Sequence, residues 1–143
     1  MKEHVKDIII GLTLAISVVS SVPVFAGTLG DKIIAQTNEI RAEYGMDPLE
    51  TDAALTSDAE IRAEEAEESF SHTRPDGQPF YTAGSGTAYG ENLSKNFTEA
   101  DEMMDAWMAS PSHRDNILGD YTHMGVGVVY EETGATVVSV LFY

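Results

Sequence analysis

The hydrophobic period changes along this chain, and that change limits the folds open to it. Ile33, Ile34, Thr37, Ile40 and Tyr44 recur at helical spacing. The C-terminal part reads differently. Gly125 to Tyr130 is GVGVVY and Ala135 to Phe142 is ATVVSVLF, two β-rich runs around Glu132-Thr133-Gly134. Such runs flanking a short glycine-containing turn predict a β-hairpin. Helices first and strands last, without regular alternation, predict an α+β fold in which helices pack over a small antiparallel sheet.

Three helices are expected ahead of the hairpin. Gly45 ends the first in the C′ position, and Pro48 forbids its continuation. Thr51 or Asp52 caps the second, which runs to about Glu68. Its inner face is Leu55, Ala59, Arg62 or Ala63, and Ala66. Glu60, Glu64, Glu67 and Glu68 form a solvated outer face. The third opens at Thr98, with Asp101 as an approximate capping box, and carries the apolar stripe Ala100, Met103, Met104 and Trp107. Ser110-Pro111 ends it. Ser69 to Tyr89 is rich in Gly, Ser, Thr and Pro and reads as one long loop. Unstructured loops beyond about 15 residues in compact domains are often functional.

The N-terminus has the pattern of an export signal. Lys2 and Lys6 precede an apolar core, Ile8 to Val19, and Pro23 leads into Val24-Phe25-Ala26. Residues 1–26 are therefore expected to be a cleaved signal peptide, with 27–143 a single secreted, extracellular domain and no stable membrane span after cleavage. The alternative is an uncleaved anchor from Ile8 to Ala26. The chain has no cysteine, so its core must be adequate without disulfides, and thiolate chemistry is excluded.

Eight basic residues face 24 acidic ones, a net charge of −16. Removing the leader takes away two of each sign and leaves the balance unchanged. Nucleic acid is excluded as a partner, because phosphate contacts need clustered Lys and Arg. Cations, basic peptides and neutral glycans fit the charge.

Four pieces could carry chemistry: His72 in HTRPDG, Gly90-Glu91-Asn92-Leu93, His113 in SPSHRDNIL, and Met124-Gly125-Val126-Gly127. Each is weak alone. Their order is more specific, together with Asn38-Glu39-x-Arg41, Pro48-Leu49, Ala59-x-x-Arg62-Ala63 and Trp107-x-x-Ser110. With these the chain resembles the CAP superfamily of cysteine-rich secretory, antigen 5 and pathogenesis-related proteins, in its bacterial secreted branch. The resemblance runs from about Ile33 to Phe142. It implies an α-β-α sandwich and a cleft lined by two histidines and two acidic residues. By motif, His72 and His113 match the histidines and Glu91 matches one glutamate. Ser110 stands where the second glutamate usually lies. Asn92 and Ser110 are carried as further cleft residues.

Two neutral imidazoles suit Zn²⁺ or another divalent metal, and a carboxylate can add to them. His72, His113 and Glu91 are accordingly the candidate metal ligands. The alternative is that they form a hydrogen-bonded cluster ordering the long loop. Asn92 is expected to fix local backbone, Asp76-Gly77 to make a turn, and Arg74 to form an exposed ion pair contributing about 0–1 kcal/mol. Arg114 reads as structural, and His123 as a surface or strand-edge residue. Gly84-Ser85-Gly86 lacks the glycine spacing of a nucleophile elbow.

The sequence therefore predicts a non-catalytic extracellular binding domain whose cleft takes a metal or small ligand and whose surface engages a cell-wall component or peptide. One alternative is a hydrolase of peptides or wall polymers, metal-assisted with Glu91 as the catalytic base, or with His72 as the base and no metal. The other is lipid or sterol binding through Phe70, Phe80, Tyr81 and Tyr89.

Overall fold

The structure is a computed structural model and describes residues 27–143. The signal-peptide expectation for residues 1–26 lies outside the described residues. No described helix is long and apolar enough to cross a membrane.

Helix α1 spans Leu29–Glu43. It begins earlier than the apolar pattern indicates, because Thr28 and Asp31 form a reciprocal capping box. The Thr28 hydroxyl accepts from the Asp31 N–H at 3.2 Å, and the Asp31 carboxylate accepts from the Thr28 N–H at 3.0 Å. Strand β1 is only Glu50–Thr51. Asp52 caps α2, Ala53–Glu68, by accepting from the Leu55 N–H at 2.8 Å. Strand β2, Gly90–Lys95, follows the long loop. Helix α3 is Ala100–Ala109 and α4 is Pro111–Ile117. Strands β3, His123–Tyr130, and β4, Thr136–Phe142, form the expected hairpin.

Two expectations about α3 and its end are corrected. Glu99, not Thr98, is the N-cap, and it makes no side-chain capping bond. Asp101 instead accepts from Gln36 of α1. Ser110-Pro111 does end α3, but Pro111 also occupies the first turn of α4. Proline suits that place, since its missing N–H would have no helical partner there.

The four strands lie in the order β1-β3-β4-β2. The hairpin and β2 are antiparallel, whereas β1 runs parallel to β3, so the sheet is mixed. Side chains alternate between faces. Met124, Val126, Val138, Val140 and Phe142 meet Ile33, Met103, Trp107 and Ile117 of α1, α3 and α4. Leu141, with Leu55, Ala59 and Ala88, belongs to the α2 side. β4 is buried on both faces, which accounts for its nearly unbroken apolar run. Burying each large apolar side chain contributes about 1.5–3 kcal/mol.

α2 touches the sheet backbone to backbone. A Cβ on Gly125 would fall on the Leu55 carbonyl, and one on Gly127 on the Ala59 carbonyl. The MGVG motif is thus the footprint of a helix. The result is an α-β-α sandwich with β2 at one edge.

Candidate functional site

The long loop is ordered by charge. Asp76-Gly77 turns the chain, with Gly77 at φ +82°, and Thr73 bridges to Pro79 across it. Arg74 reaches back to α2 and donates to Glu65 at 2.7 Å and to the Thr82 carbonyl at 3.1 Å. Its side chain is mostly buried, not exposed as the sequence led us to expect. Ser85 is likewise tied down, its N–H and hydroxyl bonding the buried Asp58 carboxylate.

Arg62 is the hub of this network. It is one of two arginines that are fully or almost fully buried. Its Nε donates to Glu91 Oε2 at 2.7 Å and its Nη2 to Glu91 Oε1 at 3.2 Å. Nη1 donates to Glu65 at 2.6 Å, and Nη2 also to the Ser71 carbonyl at 2.6 Å. Burial alone would raise the Glu65 carboxyl, but the bonds from Arg74 and Arg62 outweigh it, and its pKa falls. Burial works against the Arg62 charge, and the bonds it donates to Glu91 and Glu65 reverse that effect, so its pKa rises.

Glu91 then holds His72. Its carboxylate, side chain fully buried, accepts from His72 Nδ1 at 2.8 Å. An ionised carboxylate can only accept, so the Nδ1 of a neutral His72 carries the proton and Nε2 is left bare. The His72 ring is 57% exposed and packs edge-on to Phe80 at 6.3 Å.

His113 comes from the opposite side of the sheet edge. It is the third residue of α4. Ser110, the N-cap, makes no capping bond; its Oγ instead shares a 2.8 Å hydrogen bond with His113 Nδ1. The ring lies over Trp107, 6.3 Å between centroids at 27°. Asn92 donates to the His113 carbonyl at 3.0 Å and accepts from Asn116 at 2.9 Å, latching α4 to β2. Burial lowers the His113 pKa, and the charge of His72 acts in the same direction.

His72 and His113 share the wall of one concavity of about 360 Å³, completed by Phe80, Tyr89, Gly90, Glu91, Ser112 and Asn116. Asn92 and Ser110, expected as cleft residues, do not line it; each instead bonds His113. Glu91 reaches the wall with its carboxylate already bound to Arg62 and His72. Among the described residues, no three His, Cys, Asp or Glu side chains are grouped as metal ligands. The chemistry of the donor set suits two imidazole ligands, each with Nδ1 occupied and Nε2 without a hydrogen-bond partner among the described residues.

Sequence reasoning did not give three residues the parts they play at this site. Arg62 was visible as an arginine on an otherwise apolar helix stripe, a pattern that calls for a buried acidic partner. Phe80 was named only for lipid contact, and Asn116 only as part of the SPSHRDNIL motif. His123 begins β3 near Glu50, at 3.6 Å, and Arg114 clasps the Tyr44 ring at 5.4 Å, a structural contact.

The profile of the cysteine-rich secretory protein (CAP) family matches residues 34–143. A Bacillus subtilis protein, YkwD, is 35% identical over 124 residues, which is 81% of this chain and 48% of that protein. The B. subtilis membrane protein YlbC is 32% identical over 110 residues, 68% of this chain and 30% of that protein. The chain thus spans less than half the length of either relative. An outer surface protein of Borrelia burgdorferi superposes with a TM-score of 0.69 at 21% identity, covering 78% of this chain and 89% of that one. An extracellular SCP-domain protein of Bacillus anthracis gives 0.66 at 23% identity, covering 78% and 39%. These two likenesses show a common fold. Taken with the histidine cleft and the sandwich around it, the profile match means that the chain belongs to the cysteine-rich secretory protein (CAP) family.

Proposed function

We propose that this protein is an extracellular CAP domain whose cleft binds a divalent metal ion or small ligand through His72 and His113, without performing covalent catalysis itself. The observation that carries the proposal is the shared arrangement of the two rings. Both line one concavity, and both have Nδ1 anchored, by Glu91 and by Ser110. Anchoring one nitrogen orients the other, which is how ligating histidines are commonly prepared. A zinc ion there would supply Lewis acidity and an activated water when bound. Glu91 serves as the orienting carboxylate in this proposal. As a general base it is poorly placed, because Arg62 and His72 occupy its oxygens. The extracellular assignment is supported by the B. anthracis relative in fold, itself an extracellular protein, and by the leader-like sequence.

The test is a calorimetric zinc titration of the purified protein beside His72→Ala and His113→Ala. One metal per chain is expected for the wild type, and each variant loses it. Wild-type protein that takes up no zinc, or variants that bind as the wild type does, would remove the metal reading.

A further inference from the structure

Strand register places four residues in one row across an end of the sheet. Glu50 pairs with His123. His123 and Tyr143 exchange backbone bonds of 2.9 and 3.0 Å. Tyr89 joins beside them, its N–H bonding the Phe142 carbonyl at 2.7 Å. Alternation puts this row on the same face as Glu91, Leu141 and Gly125, one step further out. Leu55 of α2 lies on Gly125, but the outer row is left open. Tyr89 is 73% exposed and Tyr143 45%. Their rings stack at 5.6 Å and 23°, and Tyr143 meets His123 at 6.0 Å.

The row joins two concavities. Tyr89 is on the wall of the histidine cleft. At the other end His123 and Glu50 border a second hollow of about 500 Å³, which also carries the exposed Asp47 and Asp120. Arg41 lines that hollow too, but its guanidinium donates to the carbonyls of Asp47, Ile117, Gly119 and Tyr121.

We propose that this aromatic row docks an extended peptide segment bearing lysine or arginine. Charge complementarity selects that occupant. Tyrosine faces attract cations, and the far end of the row offers carboxylates. Among the described residues, each lysine and arginine already has a partner, so none is set aside for an anionic ligand. The other five lysines and arginines of the described residues are engaged with Glu99, Glu91, Glu65, Tyr44 and Glu131. A neutral glycan could use the rings but would gain nothing from the acidic end. Three inter-strand steps of about 4.8 Å span about 14 Å, the reach of roughly four residues of extended chain.

The experiment is fluorescence anisotropy of labelled hexa-arginine against the full chain, with chelator present and at physiological salt. Tyr89→Ala and Tyr143→Ala should each weaken binding about threefold to fivefold, the scale of one cation–π contact. Tyr89→Phe, which keeps the ring, should bind as the wild type does. Glu64→Gln on the outer face of α2 changes the charge away from the row and should have little effect. Both tyrosines are exposed, and a thermal melt of each variant is the check that it folds. Equal binding by wild type and the alanine variants would reduce the attraction to diffuse charge and overturn the proposal. So would tyrosine-dependent binding of chitohexaose in place of the peptide. His72→Ala should leave peptide binding unchanged even if it abolishes zinc uptake, so this proposal and the metal proposal fail separately.

Discussion

The two histidines of the cleft are held by opposite chemistries. His72 sits at the end of an ionic chain that runs from Arg74 through Glu65 and Arg62 to Glu91. His113 is held by neutral groups: the Ser110 hydroxyl, the Trp107 ring and the Asn92 amide behind its carbonyl. The ionic arm takes charged groups out of water and must be complete to be tolerable. The neutral arm is built from bonds of about 1 kcal/mol each, and losing one leaves the others in place. The first arm is therefore rigid and brittle, and the second is adjustable.

The largest effect that would break this contrast is expected at Arg62. Arg62→Met leaves Glu91 buried without its counter-ion and should cost about 3–5 kcal/mol in urea denaturation. Adding Glu91→Leu to it should restore at least half of that loss, because the penalty comes from the orphaned charge. If the double variant is no more stable than Arg62→Met, the ionic arm is not the reason for the loss.

Ser110→Ala tests the neutral arm and should cost only about 0.5–1.5 kcal/mol. A cost equal to that of Arg62→Met would erase the distinction between the arms.

The smallest effect is in acid, where the two arms should separate. The His113 pKa lies below its ordinary 6.5, so the unfolded chain takes the proton more readily. The stability this contributes is complete above pH 6.5 and is lost as pH falls from there toward the folded value. Glu65 is also depressed, from 4.5, so its contribution holds above that pH and is lost below it. Stability measured against pH should fall in two stages. His113→Phe should flatten the first and Glu65→Gln the second; a single stage unaffected by His113→Phe would refute the assignment.

Much of this architecture is legible in local pattern. The capping Asp52, the inner face of α2, the Met-Trp stripe of α3 and the hairpin follow from spacing and turn chemistry alone. His72, Glu91 and His113, named from the motifs, all border one concavity. Pattern failed where a polar residue is buried by a distant partner. Gly90-Glu91-Asn92-Leu93-Ser94-Lys95 does not look like a strand buried along most of its length, yet it is one. Glu91 is paid for by Arg62, 29 residues away, and Asn92 by Asn116, 24 residues away. Helix α4 was missed for a simpler reason: Ser110-Pro111 marks a stop and a start alike.

What the sequence determined by itself is the order of periods, and with it three of the four α-helices and the hairpin, while the order of motifs along the chain gave the family. Those helices and the hairpin depend on neighbours within a few residues, which is why local pattern recovers them. What the tertiary structure alone decided is the company each polar group keeps. It made Glu91 an anchor for His72, gave Ser110 to His113 rather than to a helix cap, and aligned Tyr89, Tyr143, His123 and Glu50 in one row. Those contacts are made by strand order and layer packing, which bring together residues that no local rule relates.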